Sequence, residues 1–169
     1  EDEDCHTAIE SYLVGNYGDV GKKIHTARSR NDQVIVTERL YIRSRLVEIR
    51  EFAVKAALGF AKSAKKYEFM PMPGYTHMQK AMPTTVGMWL GSFAEGLVDD
   101  IQFLDTVAKI NNQNPLGTGA GYGTPFGFDR DYLTELLGFE KTQSNSIYCH
   151  NSRAKNHAMV LDACVHLMM

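Results

Sequence analysis

The 169-residue chain carries only three cysteines, Cys5, Cys149 and Cys164, an odd number with no C-x-x-C spacing. That excludes a disulfide framework and points to a reducing, cytoplasmic setting. No apolar run approaches the ~20 residues of a membrane span, and no secretory signal is present. A formal net charge of −2 supplies no global attraction to nucleic acid or to an acidic membrane. No segment alternates apolar and polar residues as a half-buried strand would. Cys149-His150, His157, Cys164 and His166 miss the spacing of a zinc site, so no metal is expected. The chain also lacks an initiator Met and stops at Met168-Met169 inside a helical pattern. It reads as a piece of a longer polypeptide.

What is present is helical periodicity. Acidic residues from Glu1 to Asp4 suit the positive end of a helix dipole, and Cys5, Ala8, Ile9, Tyr12 and Leu13 follow with helical spacing until Gly15 and Gly18. From Asn31 to Tyr67 there is no proline and one glycine, Gly59. Ile42, Leu46, Ile49, Ala53, Ala56, Phe60 and Tyr67 form one stripe, with Leu40, Val47, Val54 and Ala61 as a second row beside it. A second long helix is expected from about Thr84 to Asn112, capped by Thr84 or Thr85. Gly87, Gly91 and Gly96 on it predict close approach of a neighbouring helix, and Asp99, Asp100 and Asp105 are expected to face solvent. Shorter helices are expected over Asp129–Leu137 and from about Asn151. The expected fold is all-α: an elongated bundle of two long antiparallel helices plus shorter ones, part of an oligomeric bundle. Residues 1–169 read as a single helical unit, 1–30 ending an N-terminal region and 31–169 forming the bundle core.

Three polar stretches interrupt the helices. Met70 to Pro83, M-P-M-P-G-Y-T-H-M-Q-K-A-M-P, cannot be helical because of Pro71, Pro73 and Pro83, and reads as a loop. It carries Thr76, His77 and Gln79. His77 is either a capping or core-satisfied loop histidine or a proton-transfer group near neutral pH. His25 to Asp32, H-T-A-R-S-R-N-D, precedes the long helix. Arg28 and Arg30 offer forked donors to carboxylates or phosphates, with Ser29 and Asn31 beside them. A capped helix start accounts for the same residues equally well. Asn114 to Asp129 is rich in glycine, but G-x-G-x-x-G is not met and no G-K-[ST] follows. A rigid, turn-rich connector is expected there.

Taken together, H-T-A-R-S-R-N-D-Q-V, P-G-Y-T-H-M-Q-K-A-x-P, the E-D-x-H-T-A-I-E opening and N-P-L-G-x-G-A resemble argininosuccinate lyase, of the aspartase/fumarase superfamily, over almost the whole chain. The resemblance implies reversible elimination of arginine from argininosuccinate to give fumarate, without a cofactor. It implies that His77 is a catalytic acid/base residue and that Ser29, Arg30, Asn31 and Thr76 bind substrate, with Arg28 and Gln79 in support. It also implies a homotetramer whose sites draw on several chains. The family's mobile loop of the G-S-S-x-M-P-x-K-x-N-P type, with its catalytic serine, is not found, so the isolated 169 residues are expected to be inactive. An inactive helical oligomerisation module is the alternative. Met82 stands where many members have Gln, and N-S-I-Y-C-H-N-S-R-A-K departs from the commoner acidic pattern. Both departures allow another fumarate-yielding substrate.

A distance argument supports the shared site. The helix from Asn31 to Tyr67 should span about 55 Å. The ten positions from Tyr67 to His77 reach back at most about 36 Å. Asn31 and His77 are therefore expected to meet only between chains.

Overall fold

A 37-residue stretch without proline, Arg30–Lys66, forms the longest helix in the computed structural model, which describes residues 4–127 and 129–169. The chain falls into two compact units, Glu1–Arg43 with Ile110–His157, and Ser44–Lys109 with Ala158–Met169.

The first unit begins with α1, Cys5–Tyr17. Asp4 caps it by accepting the Thr7 amide at 2.8 Å, satisfying one of the donors a helix start leaves over. The expected acidic start is thus met at Asp4; Glu1 to Glu3 lie outside the described residues. Gly18, at φ +59°, ends the helix and starts a 3₁₀ turn, Gly18–Ile24. No residue of α1 is buried.

The long helix, α2 (Arg30–Lys66), gives its first turns to this unit. There Val36 packs with Leu116 and Phe139 in a core flanked by Leu40, Leu133 and Leu137. Arg43 lies over the Phe139 ring and donates to the Leu137 and Gly138 carbonyls, tying α2 to the end of α4 (Arg130–Leu136). Asp129 caps α4, and Gly138 at φ +65° follows its end. Phe128, within the glycine-rich connector, lies outside the described residues. Two helices appear where one was expected near Asn151: α5 (Ser146–Asn151), capped by Asn145, and α6 (Arg153–His166).

In the second unit, α2 runs antiparallel to α3, Val86–Asn111. The pairing follows from its contacts: Arg50 binds Asp105, Phe60 stacks on Phe93, and Gly87 lies against Ala64 and Glu68. Ala53, Ala57 and Ile101 form the buried seam, with Val54, Leu97 and Leu167 around it. Small residues there let the helices approach, and burying a side chain such as Ile101 contributes about 1.5–3 kcal/mol. The close approach expected at three glycines occurs at one. A Cβ on Gly87 would sit 2.5 Å from the Glu68 Cα, whereas Gly91 and Gly96 have nothing within 4 Å. Asp105 is also not simply solvated, because Arg50 grips both of its oxygens, at 2.7 and 3.1 Å.

The all-α expectation holds, with two small sheets added. Gln113–Asn114 (β3) pairs in parallel with Lys141–Thr142 (β4). The proline-rich stretch expected as a loop is instead an antiparallel hairpin, β1 (Pro71–Thr76) and β2 (Gln79–Thr85). Prolines are tolerated because a two-stranded ribbon has only edges, where a missing N–H leaves no ladder partner unpaired.

Candidate active site

The hairpin positions His77. Thr76 pairs with Gln79, leaving His77 and Met78 as a two-residue turn at φ +49° and +62°. Two positive φ values in succession mark the turn whose twist matches a β-ribbon. The base is closed by Val86 donating to the Met70 carbonyl at 2.9 Å and Gly87 to that of Tyr67 at 3.0 Å. The register slips between Pro73 and Tyr75, where Gly74 comes close to the Met82 carbonyl. This bulge turns the outer part of the ribbon relative to its base. Thr76, His77 and Gln79 are all exposed at the tip. His77 is exposed and has no core role.

The other predicted residues sit in the first unit, in the turn that leads into α2. Ala27 takes φ +58°, reversing the chain before Arg28. Arg28 donates to the Thr26 carbonyl at 2.9 Å and to that of Lys23 at 3.3 Å, which holds the turn together. Ser29 Oγ accepts the Asn31 amide at 3.2 Å, and Asp32 accepts the Ser29 amide at 2.8 Å, a reciprocal cap of the S-x-x-D kind. Arg30 reaches back to α1, donating to Asp4 at 2.7 Å and to Thr7 Oγ1 at 2.8 Å. Asn31 is exposed. The helix-cap reading of H-T-A-R-S-R-N-D is thus met by these hydrogen bonds.

A cleft of about 660 Å³ opens beside this turn, lined in part by Ile9, Ile24, His25, Arg28, Val36 and Leu116. It is mostly apolar, and neither Ser29, Arg30 nor Asn31 lines it. The structure assigns Arg28, Ser29, Arg30 and Asn31 to the first unit and Thr76, His77 and Gln79 to the second.

The residue that the motif reading passed over is Asp32. It is fully buried, and its second oxygen accepts the amides of Gly117 and Gly119 at 2.9 and 3.0 Å. The only signal in the sequence was its place three positions after Ser29. The connector it holds is turn-rich: Gly117, Gly119, Gly121 and Gly123 all have positive φ, and the Gly121 and Gly123 amides both donate to the Thr118 carbonyl. Gly121 packs against the His150 ring, whose Nε2 lies 3.2 Å from Thr118 Oγ1. Cys149 is buried behind it, and burial pushes its thiol above the ordinary value, against the pull of Arg130 and Arg39. A thiol held protonated is a poor nucleophile. Among the described residues no cluster of three or more His, Cys, Asp or Glu could hold a metal ion. No helix among them is long and apolar enough to cross a membrane.

The chain is 46% identical to argininosuccinate lyase of Thermotoga neapolitana over 95% of its length. It is also 46% identical to that of Phocaeicola vulgatus over 90%. It spans 40% and 34% of those two relatives. Among solved structures it resembles EDDS lyase in complex with formate, at a TM-score of 0.79 and 28% identity, covering 94% of this chain and 33% of that one. The fumarate lyase:delta crystallin of Brucella melitensis, at 21% identity and a TM-score of 0.70 over 83% of this chain and 33% of that one, shares the fold. The lyase family model matches residues 1–169, the whole chain. The chain belongs to the lyase family.

Proposed function

We propose that the whole protein is a cytoplasmic carbon–nitrogen lyase that splits argininosuccinate reversibly into arginine and fumarate, with His77 in proton transfer. The observation that carries this reading is the pair Thr76-His77 at an exposed, sharply turned hairpin tip, a setting with no packing role for the imidazole. In such an elimination a base removes the proton beside a carboxylate, charge collects on that carboxylate, and acid help releases the guanidinium. The reaction needs carboxylate donors and a proton-transfer pair, and it needs no cofactor. Ser29, Arg30, Asn31 and Thr76 are the substrate-binding residues of this reading, with Arg28 and Gln79 supporting them. Because Arg30 is already paired with Asp4, its share in anion binding is through the donors that pair leaves over. The reading includes a homotetramer in which one subunit's hairpin tip meets another's turn before α2.

A second reading keeps the chemistry and changes the amine. The departures at Met82 and after Asn145-Ser146 favour it. Incubating the protein as its gene encodes it with argininosuccinate, and following fumarate by its ultraviolet absorbance, tests both. Turnover of roughly 1–10³ per second is the expected result. Absence of turnover on argininosuccinate, with fumarate released from another N-substituted aspartate, would favour the second reading.

A further inference from the structure

We infer that Asp32 is a positioning residue, whose buried carboxylate holds the Ser29–Asn31 turn at the geometry that substrate requires by clamping it to the glycine-rich connector. The inference rests on the lyase reading above. Asp32 is fully buried, and three backbone amides surround its two oxygens: Ser29 at 2.8 Å on Oδ1, Gly117 at 2.9 Å and Gly119 at 3.0 Å on Oδ2.

Capping alone requires only the first of these bonds. An aspartate in the first turn of a helix gains from the dipole and from the amide at the helix start while exposed to water. Burying it adds a large desolvation cost, which only well-placed donors offset. Here the added donors come from residues 85 and 87 positions away. Gly117 and Gly119, at φ +93° and +60°, take backbone conformations that L side chains avoid, so that both amides point at one oxygen. The Gly117–Gly119 turn closes on the carboxylate, which through Oδ1 also holds the Ser29 amide. Ser29 Oγ in turn holds the Asn31 amide at 3.2 Å. The two residues of the turn with neutral hydrogen-bonding side chains therefore depend on one buried charge for their backbone positions.

Asp32→Asn separates the two oxygens' duties. An amide has one acceptor oxygen, so it can serve either Ser29 or the two glycines, and its NH₂ then faces donors. Asp32→Glu keeps the charge and moves it by one methylene. Both variants are made in the whole protein, with Arg43→Ala as the control for stability, since it frees the Leu137 and Gly138 carbonyls in the same unit without touching the turn. Two readouts are taken: fumarate release from argininosuccinate, and calorimetric binding of fumarate itself.

The expected result is that each folded Asp32 variant raises KM and weakens fumarate binding by roughly 10–100-fold, the scale of a ~1 Å misplacement. The pH profile of kcat should stay unchanged, and Arg43→Ala should shift the melting temperature without raising KM. Unchanged KM and fumarate affinity in a folded Asp32 variant overturns the inference. So does an equal rise in Arg43→Ala at matched melting temperature. If Asp32→Asn does not fold, Asp32→Glu decides alone. A wild-type protein that binds fumarate but leaves argininosuccinate intact refutes the named substrate, while loss of fumarate binding on Asp32 substitution still supports positioning. A wild-type protein that binds no fumarate overturns both.

Discussion

Arg30 Nη1 donates to Asp4 Oδ2 at 2.7 Å, so the arginine that opens the long helix is paired with the carboxylate that caps the first one. The Thr7 amide, the largest influence, holds the Asp4 carboxyl below its ordinary value of 3.8; desolvation opposes it, and the Thr7 hydroxyl, Arg30 and His6 add to the depression. A carboxyl depressed in the folded state contributes stability that is present above pH 3.8 and lost as pH falls through the folded value. Carboxyl-carbon NMR should find Asp4 titrating below that point. An Asp4 titrating at or above 3.8 would contradict the paired geometry.

His77→Asn in the whole protein should lower turnover by about 10²–10⁴-fold, the usual worth of general acid–base catalysis. The melting temperature should stay within a few degrees. Asparagine tolerates the left-handed conformation that His77 holds at φ +49°, so the turn survives the change. Near-native turnover would make His77 structural.

Met78 is 96% exposed and sits at φ +62°, where a side chain costs roughly 1–2 kcal/mol and glycine does not. Met78→Gly should therefore raise stability, by about 0.5–1 kcal/mol after the added freedom of the unfolded chain is counted. Thermal unfolding checks it; a lower melting temperature would mean that the Met78 side chain has a contact worth more than the strain.

The three glycines of α3 should behave differently. Gly96→Ala and Gly91→Ala meet open space, and each should stabilise the helix by about 0.5–1 kcal/mol. Gly87→Ala would place its Cβ 2.5 Å from the Glu68 Cα and 2.6 Å from the Ala64 carbonyl oxygen, both backbone atoms. Overpacking of this kind costs about 1–3 kcal/mol. Denaturant titration of the three variants should place Gly87→Ala alone below wild type.

If sites are shared between subunits, two inactive variants should rescue each other. Mixing His77→Asn with Asn31→Ala, after dissociation and reassembly, should restore about a quarter of wild-type sites, those drawing both intact residues from different chains. Mixed tetramers without recovered activity would place both residues in one chain's site.

The sequence alone determined the long helices and their ends. Asn31–Tyr67 was expected and Arg30–Lys66 found, and Thr84–Asn112 became Val86–Asn111, with Thr85 Oγ1 accepting the Met88 amide as a cap. These are local matters: apolar spacing, absence of proline, and a hydroxyl at the start decide them within a few turns of chain. The motifs that carry the lyase resemblance were legible for the same reason. The hairpin was not. No residue of its strands is fully buried, so no apolar alternation marked them, and prolines argued against any ladder. Only pairing between Pro71–Thr76 and Gln79–Thr85 decided that His77 stands at a turn. The role of Asp32 was equally hidden. Its position after Ser29 showed a cap, but the partners that bury it, Gly117 and Gly119, lie 85 and 87 residues on. Contacts at that separation come from the packing of the whole unit, which no local pattern of residues encodes.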